Sequence, residues 1–456
     1  MVRSDLRRFI DVSVRSCCSL GLAALLCVAS SDRNAYAQGG GGGNTIGGGI
    51  FRNPGTIAEQ VPNPSLFLLV WLAGGLYAFL GAISLAELGT MLPRSGGQYV
   101  FSRYALGEYA GFIVGWSDWI SSCGSTAAVA LLIGSFYGAL FPVLEGRAPL
   151  VAATVAIVFA LLQWRGLVWG SNIQNLTSLL KALAFIALVV TAFILGGGGA
   201  LTAPQPDATS AIPLAAFVIS LQAVIYTYDG WSGVIYFSEE VQQPERNIPR
   251  ALFGGVLTIT AIYLLVNIAL LYVLPMSQLA GKELAAGEAA NVIFGEYGNT
   301  IFLSLAIVSM LSGINALHLM ATRVLFAMSR DGLFTKKGAT VNEGGTPTVA
   351  LFMSALVAVL FTVFGQKFEK VITVLAFFFV ANYVLSFISL FVLRVREPDK
   401  PRPYRAWGYP VTPALALIGS VLFLAGAIWS DTRNSIYALI LLAVSYPVFR
   451  IVKLLR

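Results

Sequence analysis

The sequence has few of the residues from which enzyme sites and soluble surfaces are built. Charged residues make up 11% of its 456 residues, and His318 is its single histidine. Soluble globular domains carry about 25% charged residues. With one histidine, the sequence favours neither a Ser-His-Asp triad nor a histidine metal cluster. We therefore predict that the protein is not an enzyme and that it uses no cofactor or metal.

Cysteine is also scarce. The chain has four cysteines, at Cys17, Cys18, Cys27 and Cys123. None of them shows the spacing of a metal site, and three lie within the first 27 residues. The sequence therefore predicts no disulfide framework.

Apolar residues dominate what is present. They make up 57% of the chain, and the mean hydropathy is +0.77. Runs almost free of charge recur, each long enough for a membrane-spanning helix of about 20 residues. The strands of an outer-membrane barrel alternate between apolar and polar residues, which residues 351–364 and 371–393 do not. The composition predicts an all-α polytopic membrane protein.

The apolar runs divide into about twelve predicted spans. They lie at residues 44–60, 65–92, 107–141, 148–165, 171–196, 211–241, 250–275, 299–330, 347–365, 370–394, 412–430 and 435–453. Residues 244–249, with two prolines, are expected to end the sixth span. Residues 275–298 are expected to form a polar loop with a short surface helix.

Two of these spans are interrupted. Residues 45–55 read TIGGGIFRNPG, and residues 226–233 read YTYDGWSG. Each glycine disfavours a helix interior by about 1 kcal/mol, and within a membrane broken backbone is tolerated where it lines a cavity or is buried in protein. Interruptions at matching places in two halves of a chain point to a transporter binding site at the bilayer midplane.

Basic residues predict the orientation of the spans. The net charge is +7, and in membrane proteins lysine and arginine concentrate in cytoplasmic loops. One side of the predicted topology carries Arg94, Arg103, Arg165, Arg246, Arg250, Arg330, Lys336, Lys337, Arg394, Arg396, Lys400, Arg402, Arg405, Arg450 and Lys453. The other side carries Arg147, Lys282, Lys367, Lys370 and Arg433. We expect a multi-pass protein of the plasma or inner membrane, with both termini cytoplasmic.

Residues 1–43 are atypical, and two interpretations stay open. Four arginines, a short apolar run and an Ala-Tyr-Ala site before Gln38 resemble a secretory signal peptide. The alternative is a defective or artefactual N-terminus in place of a first half-helix. Cleavage after Ala37 would leave the new N-terminus outside the cell membrane. The predicted twelve-span topology requires the first, broken helix to begin on the cytoplasmic side.

Several ordered motifs resemble those of the amino acid–polyamine–organocation transporters. Three of them resemble motifs of the first three helices of this family: IGGGIF at residues 46–51, AELGTMLPRSGGQYVF at 86–101 and AGFIVGW at 110–116. YDGW at 228–231 and SEEVQQPERNIPRA at 238–251 resemble the L-type amino acid transporter branch in particular. Asn315, Arg323, SRDG at 329–332, GTP at 345–347 and RPYRAWGYP at 402–410 extend the resemblance along the chain.

The resemblance implies a fold of two inverted five-helix repeats with broken first and sixth helices. The repeats would be residues 44–197 and 211–395, with two additional helices at 412–453. It also implies roles for the residues of the two breaks. Amide groups of Gly47, Gly48 and Gly49 would bind a substrate carboxylate. Carbonyls of Thr45, Ile46, Tyr226, Thr227 and Asp229 would bind its ammonium group.

Further side chains complete this implied site. Tyr226 would form an aromatic gate, and Trp231 with Ser125 would shape the side-chain pocket. Trp231 in interface packing and Ser125 in a helix contact are the alternatives.

Coupling roles are implied for Lys181 and Asn315. Lys181 lies inside an apolar span, and an ionisable residue there is a functional candidate. In the family a lysine at this point replaces a bound sodium ion, which implies proton coupling or sodium-free exchange. Snorkelling of Lys181 to the interface is the alternative. We interpret His318 as a satisfied core residue.

Charged residues at the predicted cytoplasmic side are gate candidates. Glu87 lies near Arg94 in sequence, Glu239 and Glu240 lie near Arg246, and Arg323 lies late in the eighth span. These residues form either a gate of ion pairs or an interfacial charge layer.

Together these observations predict a secondary active amino acid transporter, for neutral L-amino acids, working by proton symport or by exchange. The alternative is an amino acid-binding sensor or a transport-inactive homologue. The expected partners are the substrate and the lipid bilayer, with no nucleic acid. Residues 141–149 lack the cysteine by which animal members of this branch join a heavy chain, so no disulfide-linked heavy chain is expected.

Overall fold

The structure is a computed structural model that describes residues 48–165, 183, 185–196, 213–282, 284–365 and 368–454. Within these ranges the chain is mostly helical and contains no β-strand. Residues 1–43, and with them the signal-like segment, lie outside the described residues.

The first half of the chain contributes six helices to the described structure. They are α1 (Gly48–Gln60), α2 (Pro64–Met91), α3 (Gln98–Leu106), α4 (Glu108–Leu140), α5 (Ala148–Trp164) and α6 (Phe185–Leu195). The start of α2 shows local sequence control. The Asn63 carboxamide oxygen accepts from the amides of Ser65 and Leu66, at 3.0 and 3.1 Å, and Pro64 occupies a first-turn position that needs no amide donor.

The second half of the chain begins with a broken helix and contributes nine helices to the described structure. They are α7 (Leu214–Tyr228), α8 (Pro244–Val273), α9 (Met276–Leu279), α10 (Ala285–Phe294), α11 (Gly298–Arg330), α12 (Thr348–Gly365), α13 (Phe368–Arg396), α14 (Val411–Ser430) and α15 (Thr432–Leu454). A 3₁₀ segment, Gly233–Glu240, follows α7 after a turn.

The lengths and compositions of these helices confirm a polytopic α-helical membrane protein. Seven candidate spans of at least 20 residues are long and apolar enough to cross a bilayer. Three shorter apolar helices accompany them, at Ala148–Trp164, Phe185–Leu195 and Thr348–Phe364. The two described parts of the interrupted helices, α1 and α7, are also short, with 13 and 15 residues.

Three details differ from the sequence prediction. The sixth span ends before the prolines at 244 and 249, as its 3₁₀ segment stops at Glu240, but these prolines lie in the next helix, because α8 begins at Pro244 and includes Pro249. Proline at a first helical position removes an amide that has no helical acceptor in any case. The separate helix α3 was not predicted. Finally, α10 lies at the surface with one side only, since Ala285 and Ala289 are buried whereas Val292 is exposed.

Helix α4 lies at the centre of the bundle. In the apolar 18-residue stretch of α4, 72% of the residues are buried. The helix packs against α3, α5, α11, α12 and α13. By contrast, only 28% and 22% of the residues are buried in the corresponding stretches of α14 and α15. Helices α1 and α7 pack against each other, and α7 also contacts α2, α13 and α14. The two broken helices therefore lie within the packed part of the bundle.

Candidate functional site

The beginning of α1 lies directly beside the end of α7. Gly48 and Gly49 lie in the first described turn of α1 and are buried. A Cβ atom on Gly49 would lie 2.7 Å from Oγ1 and 3.1 Å from Cα of Thr227. A side chain does not fit in this space, so glycine at 49 is required for the contact. Thr45, Ile46 and Gly47 lie outside the described residues.

Hydrogen bonds hold this contact in place. Asn53 Nδ2 donates to Thr227 Oγ1 at 2.6 Å and to the Ala223 carbonyl at 3.0 Å. The Tyr263 hydroxyl of α8 donates to the Thr227 carbonyl at 2.9 Å. The sequence reasoning missed Asn53 and Tyr263, although Asn53 lies within the glycine-containing motif of residues 45–55.

The ends of the two helices carry opposite partial charges. The first amides of a helix lack carbonyl partners and its N-terminus is positive, whereas the last carbonyls make its C-terminus negative. Helix α7 ends at Tyr228, and Gly230 has a φ of +98° in the turn that follows. The Tyr226 carbonyl accepts from the Asp229 amide at 3.1 Å. A ligand bearing both a carboxylate and an ammonium group matches this pair of helix ends.

Three side chains connect this turn to the neighbouring helices. The Tyr383 hydroxyl of α13 donates to Asp229 Oδ1 at 2.8 Å. The buried Trp231 ring stacks on Tyr383 at a centroid distance of 5.3 Å, and it also lies against Gly81, where a Cβ atom would lie 2.9 Å from the ring. Trp231 therefore contacts both α2 and α13. Tyr383 is a residue that the sequence reasoning missed.

The other two candidate pocket residues lie on α7 and α4. Tyr226 is half-buried two residues before the end of α7. Ser125 is buried on α4. Next to it, a Cβ atom on Gly124 would lie 2.8 Å from Leu375 of α13. This small-residue stretch permits the close approach of α4 and α13.

Asn315 is completely buried on α11, where it contacts α5. Gln163 Nε2 donates to its backbone carbonyl at 2.8 Å and to its Oδ1 at 2.9 Å. Elsewhere, Phe51 of α1 stacks on Phe185 of α6 and meets Phe302 of α11 edge to face. Lys181, which precedes α6, lies outside the described residues.

His318 is a core residue, but it is not fully satisfied as the sequence predicts, because its buried Nε2 has no hydrogen-bond partner among the described residues. It is buried on α11, and its side chain hydrogen-bonds the backbone of Ala156 on α5. No group of three or more His, Cys, Asp or Glu side chains in the described ranges is arranged to hold a metal ion.

Ion pairs gather at the end of the bundle where α2, α11 and α13 finish and α8 begins, called the basic end here. Arg323 of α11 contacts Glu240 at 2.7 Å. Arg330 donates to both carboxylate oxygens of Glu239, at 2.9 and 3.0 Å. The partners of both glutamates thus come from α11 and not from their sequence neighbour Arg246. These pairs tie segment Gly233–Glu240 to α11.

Glu87 belongs to a separate cluster. Arg394 Nη2 lies 2.6 Å from Glu87 Oε2, and Arg402 Nε lies 3.1 Å from Oε1. The Ala406 amide donates to Oε2 at 2.7 Å. Arg94, its neighbour in sequence, pairs instead with Asp331 at 3.2 Å. Glu87 therefore holds the loop before α14 to α2.

Asp331 is a third charged centre at the basic end. It accepts hydrogen bonds from Arg94 and, at 3.0 Å, from the Tyr99 hydroxyl. It also forms an ion pair with Arg103 at 3.0 Å. Beyond it, Tyr104 donates to Glu397 at 3.1 Å, and this hydrogen bond lowers the pKa of the Glu397 carboxyl.

Comparison with known proteins gives consistent results along most of the chain. A family model described as amino acid permease matches residues 22–446. The serine/threonine exchanger SteT of Bacillus subtilis (strain 168) is 29% identical over 412 residues, which cover 89% of this chain and 93% of the exchanger. The large neutral amino acids transporter small subunit 2 of Homo sapiens is 27% identical over 422 residues, 89% of this chain and 77% of that protein. The b(0,+)-type amino acid transporter 1 of Rattus norvegicus is 26% identical over 411 residues, which cover 87% of this chain and 82% of that protein.

Proposed function

The chain belongs to the amino acid permease family, and from this we propose that it is a secondary active transporter of neutral L-amino acids. The observation that carries the proposal is the contact of Gly49 with Thr227, which brings the N-terminus of α1 beside the C-terminus of α7. The two helix ends offer a zwitterion one partner for each of its charges.

The substrate would bind across these ends. The amides of Gly47, Gly48 and Gly49 hold the carboxylate, and carbonyls of the two breaks hold the ammonium group. For the second role we propose Thr45 and Ile46 in the first break, with Tyr226, Thr227 and Asp229 in the second. The Thr227 carbonyl accepts one bond, from the Tyr263 hydroxyl, which leaves it a second lone pair for the ligand.

Alternating access would come from rocking of the broken helices against the rest of the bundle. We propose that the Glu240–Arg323 and Glu239–Arg330 pairs close the basic end in the described conformation. By the excess of basic residues on that side, this end is cytoplasmic, and the repeats span residues 44–197 and 211–395. Tyr226 would close the substrate site on the other side.

Two transport modes are proposed. Exchange is supported by the serine/threonine exchanger among the similar proteins. Proton symport is supported by the position of Lys181 in an apolar run, close in sequence to α6, whose Phe185 contacts α1. In both modes Lys181 and Asn315 couple α6 and α11 to the first break.

The atypical N-terminus supports a second candidate, an amino acid-binding sensor or a transport-inactive homologue. The family match begins at residue 22, which supports a weak first half-helix over a cleaved signal peptide. We further propose that no disulfide-linked heavy chain binds, because residues 141–149 contain no cysteine.

Counterflow of radiolabelled L-serine in proteoliposomes tests these proposals, after intact-mass measurement of the purified chain. Loading with unlabelled serine should accelerate uptake, and an imposed proton gradient separates symport from pure exchange. Serine binding without flux would favour the sensor, and a chain that begins at Gln38 and shows no flux would refute transport.

A further inference from the structure

Asp229 is a half-buried carboxylate at the second break. Its Oδ1 accepts from the Tyr383 hydroxyl at 2.8 Å, and its side chain also accepts from the Gly230 amide. Within the described ranges, no ion pair involves Asp229. A carboxylate in this position would attract a cationic substrate side chain unless its oxygens were already engaged.

Tyr383 is held in a fixed position relative to the break. Its ring stacks on Trp231 with an interplanar angle of 25°, and the Ser232 side chain hydrogen-bonds its hydroxyl. It is buried on α13. Three residues of the turn, Asp229, Trp231 and Ser232, therefore contact one tyrosine, whose hydroxyl donates to the carboxylate.

This geometry makes a contact between a cationic substrate and Asp229 costly. A lysine or arginine side chain would compete with the Tyr383 hydroxyl and the Gly230 amide for the lone pairs of Asp229, and displacing the hydroxyl would forfeit a charge-assisted hydrogen bond. We propose that Tyr383 is a positioning residue that keeps the Asp229 carboxylate engaged, so that the site prefers neutral over cationic amino acids. The inference rests on the proposed function and specifies its substrate class.

The test is Tyr383→Phe, which removes the hydroxyl and retains the ring that stacks on Trp231. The readout is the ratio of L-lysine to L-serine counterflow in proteoliposomes. We expect this ratio to rise about tenfold, the effect of freeing one charge-assisted hydrogen bond. The rise should disappear in the double variant Tyr383→Phe/Asp229→Asn.

Tyr77→Phe is the matched control. The Tyr77 hydroxyl lies 2.8 Å from Ser420 Oγ on α14, so its removal should leave the ratio at the wild-type value. Asp229→Asn alone keeps an acceptor oxygen for Tyr383. Whatever its effect on the absolute rates, it should also leave the ratio unchanged, and this variant tests the inference if Tyr383→Phe does not fold.

The outcomes separate this inference from the function on which it rests. Serine counterflow by the wild type together with an unchanged ratio in Tyr383→Phe would overturn the inference alone. A ratio that falls in Asp229→Asn would also overturn it, because the carboxylate would then already contact cationic substrates. A wild type that transports lysine and not serine would overturn both the inference and the proposed substrate class.

Discussion

At the scale of single residues, Glu87 shows how a charge is accommodated inside the bundle. Its side chain has 0% solvent exposure, and it receives Arg394, Arg402 and the Ala406 amide. A buried carboxylate costs several kcal/mol unless it is paired and hydrogen-bonded. The arrangement is therefore strongly sensitive to loss of any one partner.

Replacing this carboxylate should destabilise the protein. In Glu87→Ala two arginines lose their shared counterion, and we expect the free energy of unfolding to fall by about 3–5 kcal/mol. Thermal unfolding of the detergent-purified protein measures the change. Glu108→Ala is the control, because the Glu108–Lys453 pair is exposed and such pairs contribute about 0–1 kcal/mol. Equal shifts in the two variants would contradict the prediction.

Gly49 is the residue that sets the distance between the broken helices. In Gly49→Ala the added methyl group would lie 2.7 Å from Thr227 Oγ1 and 3.1 Å from its Cα, so the helix ends must separate. We expect amino acid counterflow to fall at least tenfold, at an unchanged amount of folded protein. Gly313→Ala is the control, because a Cβ at this buried glycine of α11 meets no atom within 4 Å. Full counterflow in Gly49→Ala would show that the contact is not needed.

Lys181 is the residue on which the coupling proposal depends. We expect Lys181→Ala to abolish flux, or its dependence on pH, while membrane insertion stays intact, because an intramembrane cation without a role would be costly. Uptake measured between pH 5.5 and 8 in proteoliposomes provides the test. If uptake in this variant is unchanged and insensitive to pH, Lys181 has only the snorkelling role.

At the scale of elements, the segment Gly233–Glu240 is joined to α11 by two ion pairs of different burial. The Arg323 side chain is 5% exposed in its pair with Glu240, whereas Arg330 and Glu239 are 32% and 35% exposed. A buried partner is costly to leave unpaired, and an exposed pair is not. The Glu240–Arg323 pair should therefore dominate closure of the basic end.

This difference is measurable by thiol labelling. In a background without the four native cysteines, Ser238→Cys reports opening, since Ser238 is buried. Adding Glu240→Gln should raise the labelling rate about tenfold or more, because Arg323 loses its carboxylate partner. Adding Glu239→Gln should raise it by about fivefold or less. Equal rates in the two variants would argue against a gate at Arg323.

Helices were predictable from the sequence where hydropathy alone determines them. The spans at 65–92 and 107–141 correspond to α2 and α4 within one residue at each end. Helix α3 was missed because its nine residues are too few and too polar to form an apolar run. The burial of α10 was missed because alanines that pack on α8 and α11 look the same in sequence as alanines on a surface.

The candidate site was predictable only in part. The glycines and YDGW marked the two breaks, because helix-breaking residues carry a local signal. The partners of Glu87, Glu239 and Glu240 were not predictable, since all come from segments distant in sequence. Tyr383 lies in the unbroken apolar run of α13, where nothing local distinguishes it from a core tyrosine.

At the scale of the whole molecule, burial is distributed unevenly. Helix α4 is enclosed on most sides, whereas α14 and α15 lie at the periphery and expose large apolar side chains such as Trp429 and Leu422. In a membrane these side chains contact lipid, which is as apolar as they are. The broken helices are thus surrounded by protein, as interrupted backbone within a bilayer requires.

The clustering of ion pairs at one end has a consequence for ionic strength. The Debye length falls from about 8 Å at 0.15 M salt to about 3 Å at 1 M, and exposed pairs are screened far more than buried ones. The pairs of Glu239 and Asp331 are part-exposed and lie at the basic end. If opening of this end limits transport, salt added to a single side of a vesicle will change the rate only where the basic end faces that side. Salt asymmetry thereby becomes a label-free way to read the sidedness of the inserted protein.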